Sequence, residues 1–142
     1  MTPDDIRAAI AAQAVIDWVR GAHATSRWTT SVCTGALILG AAGILSGLEA
    51  TTHWAASRFL PLFGARYSAQ RVVKQGKVIT AAGVSAGIDM ALSFAADLAG
   101  QESAEAIQLV IEYDPQPPFD AGAPHKAQEA VAKQAKRMLT GR

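Results

Sequence analysis

An α/β fold is what this sequence predicts, and three observations carry the prediction. The hydrophobic period changes inside residues 28–43, WTTSVCTGALILGAAG. Before Cys33 the residues are β-branched and aromatic, as a half-buried strand requires, and after it they are small and apolar, as in a buried helix. Residues 71–80, RVVKQGKVIT, place two short β-branched runs around Gln75 and Gly76, the pattern of a β-hairpin. The remaining segments carry apolar residues at helical spacing and alternate with short strands, which is the layout of an α/β domain.

The chain opens on Thr2-Pro3-Asp4-Asp5. Thr2 is a helix cap, Pro3 suits the first helical position, and the two aspartates complement the positive end of the helix dipole. Ile6, Ile10, Ala14, Val15, Trp18 and Val19 then predict one bent helix or two short ones, ending at Gly21. His23 follows in a loop and is expected to be solvated. The strand at residues 28–32 leads to the sole cysteine of the chain, Cys33, and a helix follows from Gly35 to Ala42.

A strand that turns into a helix through one cysteine, with small neighbours at Thr34 and Gly35, has the form of a nucleophile elbow. The turn lifts the side chain into a crevice, and the next backbone N–H groups converge on the same spot, where they stabilise negative charge on sulfur. The other reading is a small buried hydrophobe, since free cysteine is among the most buried residue types. Spacing alone leaves both open.

Residues 49–54 predict a short strand ending near His53, and residues 55–63 a helix that stops at Gly64. After the hairpin, Ser85 is placed to cap a helix with Ile88, Leu92, Ala95 and Leu98 on one face, ending at Gly100. Asp89 in its first turn complements the dipole. Residues 101–113 predict another helix with Ile107, Val110 and Ile111 inward. Residues 114–119, DPQPPF, hold three prolines and predict an extended loop, because proline removes donors and fixes φ. From about Pro124 a basic amphipathic helix is expected, with Ala127, Val131, Ala135 and Met138 on one stripe.

The 142 residues suit one domain with a real core. Half are apolar and the mean hydropathy is +0.16, which implies extensive burial. A net charge of +1, from 13 basic and 12 acidic residues, announces neither nucleic acid nor an acidic membrane. One cysteine excludes an internal disulfide and suits a reducing compartment, so a cytoplasmic location is expected. No apolar run is long enough to span a membrane, and the start does not read as a signal peptide. No metal-ligand spacing, phosphate-binding loop or dinucleotide fingerprint is present.

Four segments together carry a resemblance: SVCTGALILGAAG, ATTHW, RVVKQGKVITAAGVSAGIDMAL and IQLVIEYDPQPPFDAG. They resemble the DJ-1/PfpI superfamily, and within it the isonitrile (isocyanide) hydratase branch, in order from about Arg7 to Gly122. The resemblance implies a flavodoxin-like α/β sandwich, a homodimer, and a nucleophilic cysteine at Cys33. It implies that Thr34 helps to hold the substrate or its developing charge, with Gly35 and His53 as supporting residues and no metal or organic cofactor. The reaction implied is a hydration: the thiolate adds to an isonitrile carbon, and water converts the thioimidate to an N-substituted formamide. Trp54 and Phe119 are candidate pocket walls beside it.

Family members begin with a βαβ portion that brings an acidic residue and a Gly-rich loop to the cysteine. This sequence starts beyond that portion, and Asp4, Asp5 and Asp17 do not match the family acid. The expectation is therefore a single partial domain over residues 1–142, with residues 123–142 as a C-terminal helix and hydro-lyase chemistry impaired. The alternative is a non-catalytic module of the same fold: a thiol sensor, or the remnant of a regulator's ligand-binding domain.

Overall fold

The computed structural model describes residues 3–140, and the side chains of residues 7–139. The expected Thr2 cap lies outside the described residues. Two N-terminal helices, α1 (Pro3–Ala11) and α2 (Gln13–Thr25), break at Ala12. Next come β1 (Thr29–Val32), α3 (Gly35–Ala41) and β2 (Glu49–Ala50). A 3₁₀ helix (Trp54–Phe63) precedes β3 (Arg66–Tyr67), β4 (Val72–Gln75) and β5 (Val78–Ala81). The chain closes with α4 (Val84–Ala99), α5 (Gln101–Val110) and α6 (Glu129–Thr140).

The main sheet has the order β1-β5-β4, with β1 parallel and β4 antiparallel to β5, and β2 pairs with β3 separately. Strand β5 is its axis. All four of its residues are buried, and alternation sends successive side chains to opposite faces. Val78 packs into a core of Leu37, Leu39, Leu45 and Leu60. Ile79 and Ala81 pack with Ala86 and Met90 of α4 on the other face. Leu45 and Leu60 are fully buried, and such side chains contribute about 1.5–3 kcal/mol each. Trp28 joins the α4 side by an edge-to-face contact with Phe94, ring centroids 5.5 Å apart.

The hairpin predicted at residues 71–80 is present as β4 and β5, and Gln75 faces Val78 across a two-residue turn. Gly76 takes φ +59° at the first turn position, a conformation that glycine adopts without steric cost.

At Gly40, in the α3 face packed on the 3₁₀ helix, a Cβ would lie 2.6 Å from Phe63 Cδ2 and 2.9 Å from Phe63 Cβ. Gly40→Ala is therefore expected to destabilise the fold by about 1–3 kcal/mol, the usual cost of overpacking, read as a lower urea midpoint.

Several expectations are corrected. Helix α2 runs past Gly21 to Thr25, so His23 lies in its last turn instead of a solvated loop. The strand read at residues 49–54 pairs only over Glu49–Ala50, because His53 caps the 3₁₀ helix, its side chain accepting from Ala55 N–H. Gly83, not Ser85, caps α4; the Ser85 hydroxyl instead accepts from Arg71. The buried face of α4 is Ala86 and Met90, while Ile88 and Leu98 are exposed. On α5, Ala104 is buried, and Ile107, Val110 and Ile111 face outward. The C-terminal helix begins at Glu129, after turns, and Val131 and Met138 are exposed. Residues 114–119 form an irregular loop, as the prolines require.

Candidate active site

Cys33 joins the end of β1 to the start of α3, the place where an open α/β sheet presents ligand-binding groups. Its φ is +58°, one of two non-glycine positive values among the described residues. That left-handed conformation costs an L-residue about 1–2 kcal/mol, so the surrounding bonds must hold it. Cys33 N–H donates to Ala81 O at 3.1 Å, extending the β1–β5 ladder by one bond. Its carbonyl accepts from the Thr52 hydroxyl at 2.8 Å. The thiol is half-buried and free of any disulfide.

Thr34 follows in helical geometry, φ −70° and ψ −7°, and its carbonyl accepts from Leu37 N–H at 3.0 Å. The first N–H groups of α3 have no partner within the helix itself, which leaves them for a ligand or solvent. Gly35 carries no steric demand here: a Cβ would lie 3.7 Å from Ser31 Cβ, ordinary contact. Cys33, Thr34 and Gly35 thus lie together at the elbow, as expected from the sequence.

His53 comes one residue after Thr52 and its Nδ1 accepts from Ala55 N–H at 3.3 Å. In the neutral ring the proton then resides on Nε2. The ring also covers the chain at Gly83, where a Cβ would lie 4.0 Å from His53 Cδ2, and stacks at a tilt on Trp54, centroids 5.5 Å apart. Trp54 is half-buried, with Lys136 Nζ of α6 6.0 Å from its ring centroid. Phe119 is 79% exposed and walls nothing at this site among the described residues.

Asp89 is committed elsewhere. Arg71 Nε donates to it at 2.7 Å, and so does the Tyr113 hydroxyl, also at 2.7 Å. This network ties β4, α4 and the start of the proline-rich loop together, and the hydrogen bond to Asp89 raises the Tyr113 phenol above its ordinary range. Sequence reading missed both this network and Thr52. Thr52 carried only a faint signal, a hydroxyl-bearing β-branched residue beside His53 in a segment that otherwise reads as a strand.

Burial lowers the His53 imidazole below its usual 6.5. Partial burial, then the Lys77 ammonium, lower His23, whose Nδ1 lies 2.7 Å from Thr29 Oγ1. Lys77 also donates to the carbonyls of His23 and Ser26, closing that end of the sheet. Both imidazoles bind a proton less readily in the folded chain than in the unfolded one, so near pH 6.5 the unfolded chain binds more protons. Their contribution to stability is complete above that value and is lost as pH falls below it. The urea midpoint is expected to drop between about pH 7.5 and about pH 5.5, and less steeply when both residues are replaced by Gln.

Comparison with known proteins places this geometry. The DJ-1/PfpI family model matches residues 3–97, more than half of the chain and inclusive of the elbow. The chain belongs to the DJ-1/PfpI family. Isonitrile hydratase of Pseudomonas putida is 48% identical over 122 residues, covering 86% of this chain and 54% of that protein. A THiJ/PfpI family protein from Pseudomonas syringae superposes with a TM-score of 0.90 at 41% identity, over 96% of this chain and 56% of its own. Drosophila melanogaster DJ-1beta shares the fold, with a TM-score of 0.67 at 22% identity, over 80% of this chain and 61% of its own. The flavodoxin-like α/β architecture expected from the sequence is that of these DJ-1/PfpI structures. The chain spans about half the length of the two Pseudomonas proteins. Among the described residues no helix is long and apolar enough to cross a membrane, and no cluster of His, Cys, Asp and Glu has the arrangement of a metal site.

Proposed function

We propose that this chain carries the nucleophile of an isonitrile hydratase-type reaction. The observation that carries the reading is its 48% identity to the Pseudomonas putida isonitrile hydratase over 86% of the chain. The Cys33 thiolate attacks the terminal carbon of an isonitrile, and a proton delivered to that carbon gives a thioimidate. Water adds to the thioimidate carbon, the C–S bond breaks, and the thiolate departs with the N-substituted formamide as product. Thr34 holds the substrate or its developing charge, and the Gly35 N–H and His53 support the site.

The thiolate supplies the electron pair, so the proposed steps call on no metal or organic cofactor. The partner is a small isonitrile-like molecule, and neither nucleic acid nor a membrane enters the scheme. A homodimer, as is usual in the family, and a cytoplasmic location complete the reading; a free thiol persists where disulfides are kept reduced. The test is formamide release from an alkyl isonitrile, followed alongside oxidation of Cys33 by dilute peroxide. Release that depends on Cys33 supports the hydratase. Fast sulfenic acid formation with no release, by this chain alone or fused to the portion of the Pseudomonas putida relative that it does not match, would instead make Cys33 a sensor.

A further inference from the structure

Strand β5 fixes the cysteine turn from two directions. Ala81 O accepts the Cys33 N–H at 3.1 Å. One residue earlier, Thr80 Oγ1 accepts the Thr51 backbone N–H at 2.9 Å, which seats the segment that carries Thr52. Thr52, fully buried, then donates its hydroxyl to Cys33 O at 2.8 Å. The peptide groups on both sides of Cys33 are therefore tied, one by the strand and the other by a side chain. Two dihedrals define the conformation of a residue, and these two bonds bracket both of them.

The second bond matters because of what it holds. Cys33 sits at φ +58°, where an L-residue does not stay unless its surroundings over-determine it. In a trans peptide the carbonyl and the following N–H point in opposite directions. Drawing Cys33 O toward Thr52 therefore points the Thr34 N–H away from Thr52. Two other buried hydroxyls in these segments, Ser31 Oγ and Thr51 Oγ1, have no hydrogen-bond partner. Of the three, Thr52 is the one spent on the elbow.

We propose that Thr52 is a positioning residue: its hydroxyl, through the Cys33 carbonyl, holds the left-handed turn that presents the thiol for attack. The proposal rests on the reading of Cys33 as a reactive nucleophile. Thr52→Val keeps the shape of the side chain and removes the donor, so the carbonyl loses its partner and the turn relaxes.

The experiment measures the rate of Cys33 alkylation by iodoacetamide at neutral pH in the folded 142-residue chain, with folding checked by circular dichroism. Thr52→Val is expected to slow alkylation about tenfold, the scale of one lost buried hydrogen bond, and Thr52→Ser to restore it to within about threefold of wild type. A structural role alone would not make the rate follow the hydroxyl through both substitutions. Where Thr52→Val does not fold, the same comparison is made with Thr80→Val and Thr80→Ser, which release and restore the Thr51 tether. Alkylation at the wild-type rate in the folded valine variant overturns the proposal and leaves the nucleophile reading standing. Wild-type Cys33 that resists iodoacetamide overturns both.

Discussion

Replacing Cys33 with alanine is expected to abolish covalent labelling of the folded chain by iodoacetamide. In a full-length relative, the same change at the matching cysteine is expected to cut formamide release by at least about ten-thousandfold, the scale of losing a covalent nucleophile. Intact-mass spectrometry and an isonitrile turnover assay read the two results. The sulfur is the single thiol of the chain, so residual labelling in Cys33→Ala would mean that another group reacts. The backbone adds a second expectation. Alanine at φ +58° carries the same left-handed strain as cysteine, whereas glycine does not. Cys33→Gly should therefore label no better than Cys33→Ala yet unfold at no lower urea concentration than wild type. A glycine variant clearly less stable than wild type would show that thiol packing, and not the turn, dominates the energetics of this position.

The second large effect concerns completeness. The 142-residue chain assayed alone on an alkyl isonitrile is expected to turn over at least about a hundredfold more slowly than the Pseudomonas putida enzyme under the same conditions. Turnover needs a proton delivered to the adduct and a water activated against it. General acid–base assistance is worth about a hundred- to ten-thousandfold, and one oxyanion donor about a hundredfold or more. The family resemblance assigns the acid and one donor to a portion that this sequence does not match. Asp89 on α4 does not supply the acid, because its carboxylate is spent on Arg71 and Tyr113. Strand β1, which leads to Cys33, lies at the edge of the main sheet among the described residues, and Val32 is 38% exposed. Fusing the unmatched portion of the relative to this chain should recover most of the deficit. Equal turnover by the chain alone and by the fused form would show that the acid is supplied from within these 142 residues.

The local architecture of the elbow was legible in the sequence because its determinants are local. A β-branched run before Cys33 and small apolar residues after it differ in period, and no distant partner is needed to see the change. The hairpin was legible for the same reason, with Gly76 supplying the positive φ of a two-residue turn. Three prolines excluded regular structure from residues 114–119 whatever packed around them. The family, too, could be recognised from four short motifs in order.

Tertiary structure decided what depends on partners far along the chain. Periodicity shows that α4 and α5 are amphipathic, yet both carry apolar residues on more than one face. Contact with β5 selected Ala86 and Met90 on α4 over Ile88 and Leu98, and on α5 Ala104 was buried while Ile107 and Val110 were left outside. His23 read as a loop residue until Lys77, 54 positions away, closed the end of α2. The Thr52 bond to Cys33 spans 19 positions, and the Thr51 bond to Thr80 spans 29. A hydroxyl's role is set by the one acceptor within its reach, and that acceptor is known only once the strands have paired.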